Sequence, residues 1–283
     1  MAKFRETAMR YVFLLSAVLC IACVGVICVY LLGSGIPTMF EIGLDNFFGT
    51  TWKPGSGSYG IFPFIVGSVY VTAGAILIGV PIGVLCAVYL AWFCPKRVYK
   101  VLNPAVRLMA GIPSIIYGFF GLTVLVPMIQ SMTGTSGKGL LTASLLLGIM
   151  ILPTIIGTAE PALRAVPRPY YDGALALGAT HERSVFSVVV PAAASGLMSG
   201  VILGIGRAIG ETMAVIMIAG NQTRMPGGLF DGLRTMTSNI VLEMGYSTGL
   251  HRQALVATGV VLFVFILMIN LLFSLAKKKE GTK

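Results

Sequence analysis

The chain has 283 residues, of which 56% are hydrophobic and 11% are charged, and its mean hydropathy is +0.90. A soluble domain carries about 25% charged residues, so this composition excludes a fully water-exposed surface and indicates a membrane protein. The formal net charge is +10. Its Lys and Arg residues cluster beside apolar runs, which is typical of membrane topology signals and not of nucleic-acid binding.

Six apolar segments are long enough to cross about 30 Å of hydrocarbon as helices, which predicts an all-α, polytopic membrane protein. They cover roughly residues 11–32, 64–93, 102–128, 140–159, 192–219 and 255–276. The first segment has a basic flank, but its apolar run is longer than that of a cleavable signal peptide, so we expect it to remain as a span. The five cysteines lie in or beside these segments and are expected to fill apolar helices without binding a metal.

The Lys and Arg residues between the segments predict the orientation in the membrane. With the N-terminus inside, the inner side collects fourteen of the twenty and the outer side five, which predicts that both termini are cytoplasmic. The inner residues are Lys3, Arg5, Arg10, Lys96, Arg97, Lys100, Arg107, Arg164, Arg168, Arg183, Lys277, Lys278, Lys279 and Lys283. The outer residues are Lys53, Lys138, Arg224, Arg234 and Arg252.

Three connections between the segments are too long to be simple turns. The outer connection 33–63 contains the run WKPGSGSYG, whose Gly, Ser and Pro residues oppose a helix. The outer connection 221–253 is predicted to hold a short helix near residues 233–244. The third connection, at about residues 160–191, lies on the predicted cytoplasmic side.

This inner connection is predicted to form a short helix, a sharp turn and a second helix. The run YYDGALALG, residues 170–178, fits about two helical turns that end at Gly178 in a left-handed C-terminal cap. Thr180 is a candidate N-cap for the next helix, and Pro191 is expected to begin the fifth span. The small residues of the short helix expose nearly bare backbone. The helix therefore either seats in a groove of a partner protein or lies on the lipid headgroups.

Arg207 and Glu211 lie inside the fifth apolar segment, in the run GIGRAIGETMAV. On one continuous helix their i,i+4 spacing places them on one face, which predicts a partial salt bridge. A charge at the centre of a lone helix costs about 2.5–3.5 kcal/mol, so we expect the pair to have a function. An arginine fork fits a tetrahedral oxyanion, a nearby glutamate permits its release, and the Thr212 hydroxyl adds a contact. The alternative is a structural ion pair that holds this segment against a partner.

Four other features carry weaker predictions. Glu160 either faces an aqueous cavity or lies at the membrane interface. The run Gly111-Ile112-Pro113-Ser114 interrupts the third segment, either to line a substrate site or to make a packing kink. His181 and His251 are expected to be isolated, solvated loop residues.

The inner connection resembles the cytoplasmic motif of the permease subunits of ABC importers. That motif runs E-A-A, three residues, Gly, nine residues, an aliphatic, one residue, an aliphatic and Pro. This chain keeps every spacing and departs at the first two positions, with Asp for Glu and Gly for Ala. The resemblance implies that the first four matching residues contact an ATPase. The matching residues are Asp172, Gly173, Ala174, Gly178, Val188, Val190 and Pro191.

Most of the chain from about Gly60 onward resembles the C-type permease subunits of the phosphate-specific (Pst) importers. The runs that carry this likeness are AGIPSIIYGFFGLTVLVP, LLGIMILPTI, ALRAVPRPYYDGALALGAT and GIGRAIGETMAVIMIAGN. The resemblance implies a six-span, type I importer permease of the bacterial inner membrane that forms half of a phosphate pathway. It also implies that residues 1–60 form an N-terminal helix and the first periplasmic loop, and that residues 61–283 form the core permease.

The same resemblance implies the partners of the chain. They are a homologous A-type permease, two ATPase subunits that use ATP and Mg, a periplasmic phosphate-binding protein and membrane lipid. The sequence has no GxxxxGK[ST] nucleotide motif and no HExxH, acid-rich or Ser/Lys catalytic set, so we expect a non-catalytic subunit that binds no cofactor itself. An arginine reads charge and shape before identity, so sulfate or molybdate remains an alternative substrate. A non-transporting membrane scaffold is the alternative of a different class.

Overall fold

The computed structural model describes the backbone of residues 2–280 and the side chains of residues 6, 7 and 9–272. Within these residues the chain is almost entirely helical and has one short two-stranded hairpin. Five helical stretches are long and apolar enough to cross a membrane, and a sixth results when one bent pair of helices counts as one span. The predicted all-α, polytopic fold is confirmed. The orientation of the termini and the division of the chain near residue 60 remain predictions.

The N-terminal region forms the first two spans and an outer hairpin between them. The first span, Met9–Ile42, lies within α1 and runs about three turns beyond its predicted end at residue 32. The hairpin pairs Trp52 with Tyr59, and these two side chains are buried against the ends of the spans on the predicted outer side. The second span, Phe62–Phe93, consists of α3 and a π-helical turn. The elements are α1 (Ala2–Ile42), α2 (Leu44–Phe47), β1 (Trp52–Lys53), a 3-10 turn (Pro54–Ser56), β2 (Ser58–Tyr59), α3 (Phe62–Val88) and the π-helical turn Tyr89–Phe93.

The third predicted segment, 102–128, is two separate helices in the structure, so its predicted boundaries are wrong. Pro113 has no N–H to donate and restricts the residue before it, and Ile112 accordingly has an extended conformation (φ −71°, ψ 124°). The amphipathic helix before this break carries four of the predicted inner charges, whereas the apolar helix after it, Ser114–Thr133, is the third span. The elements are α4 (Lys96–Gly111), α5 (Ser114–Phe120), the π-helical turn Gly121–Leu125 and α6 (Val126–Thr133).

The fourth span, α7 (Leu140–Arg164), is the central helix of the bundle. Side chains such as Leu146, Ile151 and Ile155 are fully buried, because α7 packs against α3 and against the helix of the fifth span. A Cβ atom on Gly79 of α3 would lie 2.7 Å from the Gly148 carbonyl oxygen of α7. The glycine therefore permits the close backbone approach that drives helix association in membranes.

The fifth span is bent. In the predicted orientation, His181–Ala192 forms its inner half and Ala194–Gly210 its outer half. The helix axis bends by 71° between the two halves. Pro191 lies within the inner half and does not begin the span, which corrects the prediction. The elements of this region are α8 (Arg168–Ala176), α9 (His181–Ser184), the π-helical turn Val185–Val189, α10 (Val190–Ala192), α11 (Ala194–Gly210) and α12 (Met213–Ile218).

The last part of the chain returns across the bundle. The predicted short outer helix is confirmed as α13 (Met236–Met244), and α14 (Gly249–Glu280) contains the sixth span, Gly249–Leu272. His251 is not a solvated loop residue. It lies in α14, where its Nε2 atom is 2.8 Å from Glu243 Oε2.

Candidate functional site

The predicted fifth apolar segment, residues 192–219, is interrupted at Glu211 and Thr212. Helix α11 ends at Gly210, Glu211 is extended (φ −68°, ψ 132°), and α12 begins only at Met213. The predicted continuous helix through Arg207 and Glu211 is therefore wrong, since the backbone leaves the helical conformation at Glu211. Interrupted helices of this kind expose polar backbone ends and often form substrate sites within membranes.

Arg207 lies in the last turn of α11, at the middle of the bundle. Its NH1 atom donates a hydrogen bond to Thr154 Oγ1 of α7 at 3.4 Å. At 1.5 Å per residue, Thr154 lies about 21 Å along α7 from Leu140 and about 15 Å from Arg164. A cation in the last helical turn also gains about 0.3–1 kcal/mol from the negative end of the helix dipole. The arginine is thus held deep in the membrane region by a neutral hydroxyl and by its own helix end.

Glu211 is stabilised separately from Arg207. Its Oε1 atom accepts the backbone N–H of Ala214 at 3.2 Å, and its carbonyl oxygen accepts the Thr237 hydroxyl at 3.1 Å. None of the ion pairs between described side chains joins Glu211 to Arg207. The predicted partial salt bridge is therefore wrong, because the interruption directs Glu211 to the first turn of α12.

One side of α11 is open beside Arg207. A Cβ atom built on Gly206 or Gly210 would meet no atom within 4 Å, whereas one on Gly204 would lie 2.9 Å from Ile155 Cγ1. Of the three glycines, two border open space and the third permits packing against α7. The Arg207 side chain is half-buried on this helix and contacts α7 through Thr154.

Thr212 lies in the same interruption and is half-buried. Its hydroxyl donates a hydrogen bond to the Gly210 carbonyl oxygen at 3.2 Å. The structure thus places Arg207 in the last turn of α11, and Glu211 and Thr212 in the break that follows it. Their contact with a substrate remains a prediction.

A polar network inward of this point was missed from the sequence. Glu160 is buried, forms an ion pair with Arg164 and accepts the Tyr99 hydroxyl at 3.1 Å. Asn103 donates to the same Tyr99 oxygen at 2.9 Å. Tyr99 and Asn103 lie on α4, and the predicted third segment, 102–128, divides this helix between a loop and a span. The high charge of α4 is the signal that separates it from an apolar span.

A cavity of about 310 Å³ lies beside this network, between α4 and α7. Asn103, Arg107, Gly157 and Glu160 are among the residues that line it. Pro153, the residue before Thr154 on α7, also lines the cavity, so the cavity extends along α7 to the level of the Arg207 hydrogen bond. Polar groups therefore continue from Arg207 toward the inner end of the bundle.

The short inner helix α8 confirms the predicted helix, turn and helix. Gly178 has φ +87°, the left-handed conformation that glycine adopts without strain, and Thr180 Oγ1 accepts the Arg183 N–H at 3.3 Å as an N-cap. Leu177, at the C-terminal end of α8, is 91% exposed. No residue of α8 is buried.

The predicted ATPase-contact residues lie on this exposed helix and its cap. Asp172 and Gly173 are exposed, Ala174 is half-buried, and a Cβ atom on Gly173 would meet no atom within 4 Å. The bare backbone predicted for this helix is confirmed, whereas its contact with an ATPase remains a prediction. His181, expected to be a solvated loop residue, instead begins α9, with its Nδ1 atom 2.7 Å from the Tyr171 hydroxyl.

Comparisons with known proteins agree with this architecture. Residues 79–279 match the family described as binding-protein-dependent transport system inner membrane component. The chain is 41% identical over 235 residues to the "Probable ABC transporter permease protein YqgH" of Bacillus subtilis, which covers 80% of this chain and 76% of that protein. It is 34% identical over 275 residues to the "Phosphate transport system permease protein PstC" of Mesorhizobium japonicum, which covers 90% of this chain and 84% of that protein.

A solved structure shares the fold. A chain of a bacterial alginate ABC transporter, in complex with an alginate pentasaccharide-bound periplasmic protein, superposes with a TM-score of 0.65 at 16% identity. The match covers 92% of each chain.

Proposed function

Because this chain belongs to the family of binding-protein-dependent transport system inner membrane components, we propose that it is the permease subunit of an ATP-driven importer of inorganic phosphate. It is a multi-pass protein of the bacterial inner membrane. Phosphate as the substrate is supported by relatives named as phosphate transport permeases. The chain supplies half of the pathway, and a homologous A-type permease supplies the other half.

The observation that carries this proposal is the environment of Arg207. Its guanidinium lies at the middle of the bundle, donates to the neutral Thr154 hydroxyl and has no described carboxylate partner. Arginine stays protonated when buried, and its planar fork matches the oxygens of a tetrahedral anion. Since an unpaired charge within the membrane region is costly, an anion that passes the open side of α11 is a physical reason to keep it.

Release of the anion is the second requirement of a pathway. A site conducts only when it binds strongly enough to admit the ion and weakly enough to let it leave. Glu211 directly follows the end of the helix that carries Arg207, and its carboxylate accepts a hydrogen bond from the Ala214 N–H. It therefore presents negative charge that repels a departing anion without fully neutralising Arg207.

Energy for transport comes from two partner ATPase subunits, which use ATP and Mg. Helix α8 is exposed on the predicted cytoplasmic side. The inner half of the fifth span, which begins with α9, follows it in the chain. Movement of α8 is therefore transmitted along the chain, through the turn at Gly178 and the bent fifth span, to α11 and Arg207. A periplasmic phosphate-binding protein delivers the anion at the outer end.

The test is uptake of radiolabelled phosphate by cells that carry the Arg207→Gln variant. We expect uptake to collapse while the variant still co-purifies with its partner subunits, and Arg207→Lys to retain part of the activity. The matched control is Arg252→Gln, which removes an exposed charge in α14. Normal uptake by an assembled Arg207→Gln complex would contradict the pathway, and equal competition by sulfate or molybdate would contradict phosphate selectivity.

A further inference from the structure

A cationic cavity of about 310 Å³ lies where α8 meets the inner ends of the second and fourth spans. Its polar lining consists of Trp92, Arg164, Arg168, Tyr171 and His181. No acidic side chain lines it among the described residues. Asp172 and Glu182 each follow a lining residue in the chain but are exposed outside the cavity.

The two arginines of this cavity retain hydrogen-bond donors. Arg164 pairs with Glu160 through Nε and donates from NH2 to the Leu90 carbonyl oxygen at 2.8 Å, yet its side chain is 45% exposed. Arg168 is exposed, and within the described part of the chain its guanidinium makes neither a hydrogen bond nor an ion pair. The cavity therefore carries one cation without a partner and a second that is only partly neutralised.

Aromatic side chains form a fixed wall of the cavity. The rings of Trp92 and Tyr171 lie 4.8 Å apart, and Trp92 Nε1 donates to the Leu163 carbonyl oxygen at 3.3 Å. The Tyr171 hydroxyl is bonded to His181, whose ring lies 4.6 Å from that of Phe93. Trp and Tyr side chains at the ends of spans are typical of the headgroup level of a bilayer.

The cavity lies on the side of α8 that faces the spans. Tyr171 packs against Trp92 on that side, and Arg168 is one helical turn away on the same face. Gly173 has open space around its Cα, and Leu177 is almost fully exposed. A protein that docks on the bare face of α8 therefore does not need to fill this cavity.

We propose that this cavity binds a phosphate-bearing anion, either the headgroup of an anionic phospholipid or free inorganic phosphate. Basic pockets between membrane helices on the cytoplasmic side bind such headgroups, and arginine forks bind phosphate oxygens through charge-assisted hydrogen bonds. The anion bridges Arg164 of the fourth span to Arg168 of α8 and thereby fixes the position of α8. This site requires no passage of substrate and goes beyond the proposed function.

Hydrogen exchange measures this site locally in the assembled transporter, with mass spectrometry of peptides from residues 164–181. One sample holds the complex in phosphatidylcholine nanodiscs in phosphate-free buffer, a second adds inorganic phosphate, and a third replaces part of the lipid with phosphatidylglycerol. Slower exchange in the second sample identifies free phosphate as the ligand, and slower exchange in the third identifies the lipid headgroup. Equal exchange in all three samples would overturn the proposal.

The Arg168→Gln variant then tests the residue that carries the inference. We expect about tenfold weaker binding of the anion, which corresponds to about 1.4 kcal/mol, with Arg168→Lys intermediate. Since Arg168 has no described partner, the substitution leaves the fold intact, and Arg183→Gln is the control that removes a nearby exposed charge outside the cavity. Protection that persists unchanged in Arg168→Gln, or that is lost equally in Arg183→Gln, would overturn the site.

Discussion

Glu211 and Ala214 are joined by a hydrogen bond in which the carboxylate accepts the backbone N–H at 3.2 Å. This bond assigns the negative charge to the first turn of α12, where a carboxylate interacts favourably with the helix dipole. Arg207 occupies the opposite situation, in the last turn of α11. Two charges that are costly within a single membrane-spanning helix are thus each placed at the helix end that favours them.

Substitutions of Glu211 distinguish the effect of its hydrogen bond at the start of α12 from the effect of its negative charge. Glu211→Gln keeps an oxygen that accepts the Ala214 N–H, so we expect nearly unchanged thermal stability but reduced uptake because the repulsive charge is gone. Glu211→Ala loses the cap as well, at about 1 kcal/mol. Melting temperatures of the purified complex and phosphate uptake measure the two effects. Equal uptake by Glu211→Gln and the unmodified protein would refute a role for the charge.

Thr154 positions the Arg207 guanidinium through the hydroxyl it offers. Thr154→Val has nearly the same shape but cannot accept the hydrogen bond, and we expect a loss of about 1 kcal/mol, or about fivefold in uptake efficiency. Thr154→Ser keeps the hydroxyl and should retain most of the uptake. Initial uptake rates over a range of phosphate concentrations give this comparison. A serine variant as impaired as the valine variant would argue against the hydrogen bond.

Gly204 and Gly206 differ in what a larger side chain meets. Gly204→Ala brings a methyl group within 2.9 Å of Ile155, so we expect a loss of stability of about 1–3 kcal/mol from overpacking. Gly206→Leu enters open space, so we expect normal stability and blocked uptake if the pathway follows that side of α11. Thermal unfolding and uptake, measured on both variants, distinguish the two. Normal uptake by Gly206→Leu would exclude a pathway beside Gly206.

Glu243 holds the outer hairpin to α13 and α14. This buried carboxylate, 6% exposed, accepts from Trp52 at 3.0 Å and Arg234 at 2.6 Å and contacts His251 at 2.8 Å. Glu243→Gln leaves Arg234 without its counter-charge, and we expect a loss of about 3 kcal/mol. Denaturation in detergent, with the exposed Glu41→Gln as control, measures the loss. A Glu243→Gln variant as stable as the control would show that the network contributes little.

Leu177 tests whether the exposed end of α8 docks on an ATPase. The side chain is 91% exposed, so Leu177→Asn should not change the stability of the isolated chain. Burial of a leucine in an interface contributes about 1.5–3 kcal/mol, so we expect weaker coupling of ATP hydrolysis to uptake. The ratio of the two rates in proteoliposomes is the measurement. Met132→Asn, at the end of the third span and 77% exposed, is the control and should leave that ratio unchanged.

The sequence predicts the number and class of the spans well, because apolar length is a strong physical signal. It fails where backbone chemistry divides a run. The Ile112–Pro113 break is readable from proline, and its consequence is that α4 is separate from the third span. The interruption after Gly210 contains no proline, so the signal that marks the Ile112–Pro113 break is absent there.

The residues of the candidate site can be selected from the sequence, but their arrangement in space cannot. Arg207, Glu211 and Thr212 stand out as polar groups within an apolar run, and they do lie together. Thr154 lies 53 residues away from Arg207 along the chain, and an ordinary threonine in an apolar helix carries no signal that it faces an arginine. Trp52 and Glu243 are separated by 191 residues, so only the packed fold brings them together.

The 71° bend at Ala193 divides the fifth span into two arms that meet at an angle, so a rotation at the bend moves the far end of each arm. The outer arm from Ala194 to Arg207 is about 20 Å long at 1.5 Å per residue, so a rotation of about 10° about the elbow displaces the arginine by about 3.5 Å. That displacement is longer than the donor–acceptor distance of an N–H···O hydrogen bond, about 2.7–3.2 Å. A rotation of this size at Ala193 is therefore enough to make or break the Arg207–Thr154 contact.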